Sequence, residues 1–224
     1  MSTLNVLPKY KNKQEIAYEA IKNAIIQCSF KPGDPLVIRT LAAQLGVSEI
    51  PVREALKRLI SENFVTESNS SLQVSPVSAH DFLDMLEVKL DLEMIAIKLS
   101  ARKITEEQIE YLNEILHSME KCYNEKDYKG YREEHSRFHL MCCTICDVPY
   151  LITALESSFA HHERALVYFK LSSWEGEPSL QSHSDLLTAL SNHDPEHAQK
   201  YLYENRKRAY NLYCKQMAEI IGNE

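Results

Sequence analysis

The segment Gly46-Val47-Ser48-Glu49-Ile50-Pro51-Val52-Arg53-Glu54-Ala55-Leu56 follows a short amphipathic stretch and reads as the turn and second helix of a helix-turn-helix. Gly46 ends the preceding helix where a positive φ is wanted. Ser48 stands where its hydroxyl caps the next helix, and Val47 and Val52 supply apolar anchors. Few local patterns restrict a chain this strongly, because the turn fixes how two helices cross and leaves one face of the second helix outside the core.

The neighbouring text completes a small domain. Ala17, Ala20, Ile21, Ala24, Ile25 and Cys28 recur at three-and-four spacing, which predicts a helix over 14–28 closed by the Pro32-Gly33 break. Ile38, Leu41, Ala42 and Leu45 line one face of a second, short helix. On the third, Val52, Ala55, Leu56 and Leu59 share an arc of about 100°, and Glu49, Ile50, Arg53 and Lys57 share another. Phe64-Val65-Thr66 and Leu72-Gln73-Val74, separated by the polar run Glu67 to Ser71, read as two short strands forming a wing.

After Pro76 the pattern is helical throughout, with segments expected near 79–101, 105–124, 127–146, 149–170, 179–192 and 195–221. Thr105-x-x-Gln108 is a capping box, and Asp194-Pro195 is an N-cap followed by proline in the first turn. Residues 171–178, with Trp174, Gly176 and Pro178, read as a loop. The fold class expected is therefore mainly α: a winged helix-turn-helix over residues 10–76, then an all-α six-helix bundle over 77–222 that binds ligand and dimerises.

Charge follows the same division. The formal net charge of -7 is unpromising for a nucleic-acid binder. Residues 1–76, however, carry 9 Lys+Arg against 7 Asp+Glu, and 77–224 carry 16 against 25, so the first part alone can tolerate phosphates. The six cysteines lack the paired spacing of a secreted scaffold, and disulfides are not expected. With no apolar run near the roughly 20 residues of a bilayer span, no membrane association and a cytoplasmic location are expected.

A helix that reads the major groove presents base-reading side chains from its exposed N-terminal half, with flanking groups on phosphate. Arg53 is the candidate for a bidentate contact to guanine. Arg39, Ser48 and the amides at the helix start are candidates for phosphate or base contacts, and Lys57 and Arg58 for the backbone.

Pro32-Gly33, Leu41-Ala42-x-x-Leu45-Gly46-Val47-Ser48 and Pro51-Val52-Arg53-Glu54-Ala55-Leu56-x-x-Leu59 resemble the winged-helix signature of the GntR transcription regulators. The resemblance implies that residues 37–56 are the helix-turn-helix and that Arg39, Ser48 and Arg53 occupy DNA-contact positions. Glu49 stands where the family usually has Arg, Ile50 where it has Thr or a similar residue, and Ser70 or Ser71 where it has a wing-tip glycine. A different operator is therefore expected, at a scale of about 1–3 kcal/mol per base discriminated.

The helical part resembles the FCD effector domain of the FadR branch through Glu87-Val88-x-x-x-Leu92-Glu93, Phe138-His139 with Pro149-Tyr150-Leu151, and His183 with Leu186, Leu187, Ala189 and Asp194. Independently, His135, His139, Cys142 and Cys146 fall on one arc of a single helix, while His183 and Asn205 lie on apolar faces of two others. Polar groups thus point inward from several helices, as bundles arrange them around metals and ligands. The resemblance implies a site of one Asp and three His, whose positions are here His135, His139, His183 and Asn205. Three neutral imidazoles suit zinc or nickel. A hydrogen-bonded polar core without metal is the other reading, and the three cysteines of this helix are read as space-filling.

Lys89 lies on the inward line of Phe82, Met85, Leu92 and Ala96 and resembles the family's basic effector position; Glu93, one turn later, offers a simple i, i+4 partner instead. Lys89 and Arg164 together imply a small anionic effector, a carboxylate. The function expected is a ligand-responsive, sequence-specific regulator, dimeric and bound to double-stranded DNA at a palindromic operator. An acyl-thioester sensor and a metal-dependent hydrolase are the alternatives. No nucleophile elbow, phosphate-cradling glycine loop or cofactor fingerprint supports the enzyme.

Overall fold

The computed structural model describes residues 12–68, 71–172 and 177–221. They divide into two units, Met1–Val77 and Ser78–Glu224.

In the first unit α1 spans Lys13–Ile26, α2 Ile38–Leu45, α3 Glu49–Ser61, β1 Val65–Ser68 and β2 Ser71–Val74. The Asn12 side chain caps α1 by accepting from the Glu15 amide at 2.8 Å. The helix stops at Ile26, earlier than the sequence pattern suggests, and Cys28 lies outside it with φ 53. Ala17, Tyr18, Ile21 and Ile25 of α1 pack with Val52, Ala55, Leu56 and Leu59 of α3, and Leu41 and Ala42 of α2 are buried with them. The α3 line is the apolar arc expected from the spacing, while on α1 Tyr18 is buried in addition and Ala20 and Ala24 are half-buried; α1 against α3 is the main helix pairing of this unit.

Gly46 ends α2 in the left-handed region, φ 64, where its missing Cβ removes the steric penalty. β1 and β2 pair antiparallel with Val65 opposite Val74 and Ser68 opposite Ser71. The chain after α1 joins this wing: Gly33 and Leu36 amides donate to the Val74 and Leu72 carbonyls at 2.9 and 2.8 Å. Gly33 there has φ 87. Of the two wing-tip serines, Ser70 lies outside the described residues, and Ser71 opens β2 with its hydroxyl on the Ser68 carbonyl.

The second unit consists of α4 Ala79–Ser100, α5 Glu106–Glu125, α6 Tyr128–Thr144, α7 Pro149–Phe169, α8 Glu177–Ser191 and α9 Pro195–Ile221. Both expected caps form: Thr105 and Gln108 make a reciprocal box, and Asp194 Oδ1 accepts from the Glu196 and His197 amides. Trp174 and Gly176 lie outside the described residues, and Pro178 belongs to α8, so the loop is shorter at its far end than expected. α4 is the organising helix, packing on α6, α7 and α9. One core gathers Ile97, Leu112, Met119, Phe138, Leu186 and Leu202; another gathers Ala96, Cys143, Cys146, Leu155 and Phe159.

Candidate functional site

The DNA-facing candidate is α3. Its inner side is buried, whereas Glu49, Ile50, Arg53 and Lys57 are exposed, as are Arg39 on α2 and Ser48 before α3. Ser48 has N-cap backbone angles, φ -72 and ψ 167, but its side chain makes no cap bond. The expected capping role is thereby corrected: the backbone turns as a cap requires, but the exposed hydroxyl makes no bond to the α3 amides. Arg53 meets Glu49 at 3.7 Å, one turn apart, and Lys57 meets Glu54 at 2.8 Å. Arg58 is engaged within the unit itself. It pairs with Glu62 at 3.0 Å and Glu15 at 3.2 Å and lies over the Tyr18 ring at 3.6 Å, so it ties α3 to α1.

The second candidate lies inside the bundle. His135 and His139 of α6 meet His183 of α8, with one ligand atom of each within 4.8 Å of the others. The sequence placed two of them on one arc of a helix and the third on another helix, and the packing of α6 near α8 brings them together. His139 Nε2 and His183 Nε2 stand 2.8 Å apart. His183 Nδ1 faces the Ser179 carbonyl, which can only accept, so this nitrogen carries the proton.

Burial holds His183 down to about 4 despite that carbonyl, with Arg206 adding to the depression, so the ring is neutral and its Nε2 is an acceptor. His139 Nε2 must then be the donor. Its Nδ1 is left as a bare lone pair, consistent with that buried atom having no hydrogen-bond partner. Burial, followed by His183 and Arg206 for His135 and by Arg206 and His135 for His139, also keeps both well below the ordinary histidine range. Asn205 is buried on α9, and its Nδ2 donates to the Ser182 hydroxyl at 2.8 Å, beside His183 in the chain.

The donor set passes a chemical test for a metal. Three neutral imidazoles are competent ligands, and His183 already directs its free lone pair at His139 while a carbonyl fixes its other nitrogen. To hold a zinc ion, His139 would carry its proton on Nδ1 and turn Nε2 to the metal beside the His183 Nε2 lone pair. Cys142 and Cys143 are buried, which pushes both thiols up and away from thiolate character, in keeping with the space-filling role.

A separate cavity of about 310 Å³ opens between α4 and α9. Lys89, Glu93, His162, Arg206 and Tyr213 are its buried residues, and the three imidazoles do not line it. Lys89 Nζ stands 3.0 Å from Glu93 Oε2 and 3.7 Å from the centre of the Phe159 ring. Arg206 pairs with the other Glu93 oxygen. Burial and then the Arg206 charge pull Lys89 down to about 8 against the attraction of Glu93. Burial opposes ionisation of Glu93 too, yet Arg206 and Lys89 outweigh it and hold the carboxyl below its ordinary value.

The expected Lys89–Glu93 pair therefore forms, and Lys89 also reaches the cavity. Arg164 is a correction. It is buried on α7 but absent from the cavity wall, because it lies about 200° around the helix from His162, which is part of that wall. Arg206 takes its place. The signal for it was present in the spacing of Leu202, Arg206, Tyr213 and Met217, all on the buried side of α9.

Two family models match this chain: Bacterial regulatory proteins, gntR family, over residues 13–71, and FCD domain over residues 84–205. Among related proteins, the HTH-type transcriptional regulator McbR of Escherichia coli K12 is 26% identical over 187 residues, 82% of this chain and 85% of McbR. The HTH-type transcriptional repressor GlaR of the same organism is 29% identical over 147 residues, 63% of this chain and 67% of GlaR. The solved structure of E. coli McbR/YncC shares the fold with TM-score 0.80 at 24% identity, covering 92% of this chain and 98% of that one. No helix among the described residues is long and apolar enough to cross a membrane. These relatives are regulators, which removes the hydrolase alternative. With an exposed α3 face in the first unit and both models matched in order, the chain belongs to the GntR family and is a DNA-binding transcription regulator with an FCD domain.

Proposed function

We propose that this regulator is a repressor that binds a palindromic operator as a homodimer and responds to a small carboxylate held in its helical unit. The observation that carries the effector reading is the balance of buried charge. At the cavity wall two buried cations, Lys89 and Arg206, share one buried carboxylate, Glu93. An interior with such a cationic excess is stabilised by an entering anion and strained without one. The polar floor of the cavity also disfavours an acyl thioester, whose chain needs apolar walls.

His135, His139 and His183 would hold zinc or nickel, with solvent or Asn205 completing the shell. A bound metal would tie α6 to α8 through these imidazoles. Dimerisation is supported by the exposed Val88 and Ile95, seven residues apart on one face of α4. Repression follows the name of GlaR. Switching would arise from different effector affinities of two placements of the paired winged helices.

The test combines selection of duplexes from random DNA, light scattering for mass, elemental analysis for metal, and melting of the full chain with a panel of small mono- and dicarboxylates. Enriched inverted repeats, a dimer mass and an upward melting shift with one carboxylate are expected. No shift with any acid would overturn the effector reading. Absence of metal before and after zinc dialysis would leave the imidazoles as a hydrogen-bonded core.

A further inference from the structure

The start of α3 carries an arrangement that does not fit a general phosphate-binding surface. Glu49 is its first residue, Ile50 its second and Arg53 lies one turn further, and all three are exposed. Ile50 is 74% exposed, the second most exposed of the large hydrophobic side chains described. It contributes nothing to the core beneath it, where Val52, Ala55, Leu56 and Leu59 do the packing. Glu49 lies within reach of the Arg53 guanidinium at 3.7 Å, both side chains being about half exposed.

A carboxylate on a surface that approaches DNA is repelled by every phosphate and every base acceptor, and finds compensation only at an exocyclic amine. In the major groove a G·C pair offers acceptors O6 and N7 on guanine and the N4 amine donor on cytosine. An arginine and a glutamate held together one helical turn apart present the complementary set. An aliphatic side chain beside them matches the thymine methyl, the apolar feature of that groove.

We propose that Glu49, Arg53 and Ile50 form one composite reader at the tip of α3: Arg53 takes guanine O6 and N7, Glu49 accepts from a cytosine N4 amine, and Ile50 packs on a thymine methyl. This rests on the operator-binding reading above and adds which residues set the sequence. Glu49 in this scheme is a specificity residue that lowers affinity for all DNA lacking the amine, so its loss loosens selection without abolishing binding.

The experiment selects duplexes from a random library with the full chain, with Glu49→Gln and with Ile50→Ala. Melting temperatures confirm that the exposed substitutions leave the fold intact. The parent is expected to enrich a half-site containing guanine, cytosine and thymine. Glu49→Gln is expected to lose about tenfold discrimination for cytosine at one position and to bind unrelated DNA more tightly than the parent does. Replacing the critical thymine by deoxyuridine, which removes only the methyl, is expected to weaken the parent about fourfold and to leave Ile50→Ala unchanged. Failure of the parent to enrich any site would refute the operator reading itself. An enriched site kept with undiminished discrimination by Glu49→Gln, or equal parent affinity for thymine and deoxyuridine at every position, would overturn the composite reader while leaving that operator reading standing.

Discussion

The two units each contain a lysine, a glutamate and an arginine joined beside an aromatic ring, and the two groups behave in opposite ways. In the winged helix Lys22 and Arg58 flank Glu62 against Tyr18, tying α1 to α3. In the bundle Lys89 and Arg206 flank Glu93 against Phe159, tying α4 to α9. Lys22, Arg58 and Glu62 keep 19%, 46% and 23% of their side-chain surface, whereas Lys89 and Glu93 keep 3% and 1%. For Lys22, burial opposes the charge but the bonds to Glu62 and Tyr18 outweigh it, and the lysine is raised above its ordinary range. For Lys89, burial and Arg206 outweigh Glu93, and it falls to about 8. Similar chemistry thus supports the fold where water shares the charge and strains it where water is excluded. The proposed anion would act on this strained group beside the cavity.

The largest expected effect comes from removing the carboxylate from each group. Glu93→Ala leaves two buried cations without a counter-charge and is expected to cost the bundle about 3–5 kcal/mol, whereas Glu62→Ala costs the winged helix about 1 kcal/mol. Denaturant midpoints of the two variants measure this, and equal losses would break the contrast. Within α3, Arg53→Ala is expected to reduce operator affinity about 10- to 100-fold with an unchanged melting temperature. Arg58→Ala should do the reverse, lowering stability by up to about 1 kcal/mol while sparing discrimination between DNA sequences.

Acid should separate the units at different pH. Burial, then Lys89 and Arg206, hold His162 neutral and well below its ordinary value of 6.5. The unfolded chain therefore binds this proton first, so the stability due to neutral His162 is complete above about pH 6.5 and is lost as pH falls below it. Burial alone would raise Glu62, but Lys22, Tyr18 and Arg58 hold it below 4.5, so its contribution persists to stronger acid and is lost as pH falls through the lowered value. Region-resolved hydrogen exchange from pH 7 to 4 should show the bundle weakening first. The smallest effect is that of salt: raising it from about 0.1 to 1 M should weaken the Lys22–Glu62–Arg58 group slightly and leave the buried group unaffected.

Much of this was legible in the residues themselves. The left-handed turn at Gly46, the Thr105 and Asp194 caps and the buried line Val52, Ala55, Leu56, Leu59 depend on neighbours within four positions, where backbone geometry leaves few options. The failures have the opposite character. Ser48 has the backbone of a cap without its bond, and the contacts of Arg58 with Tyr18 and Glu15, the latter 43 positions away, were not read from the sequence. Arg206 rather than Arg164 lines the cavity beside Lys89, and its partner Glu93 lies 113 positions earlier in the chain.

The sequence alone determined the helix faces, the winged domain, the division of charge and the inward direction of four polar side chains, because helical periodicity and capping are properties of short stretches. The tertiary structure decided which of those side chains meet. It joined the α6 and α8 imidazoles into one group, set the Lys89, Glu93 and Arg206 charges around a cavity apart from it, and paired Arg58 with Glu15 of α1. The physical reason is that a buried charge is governed by the water it loses and the partner it gains, and both are fixed only when distant helices pack.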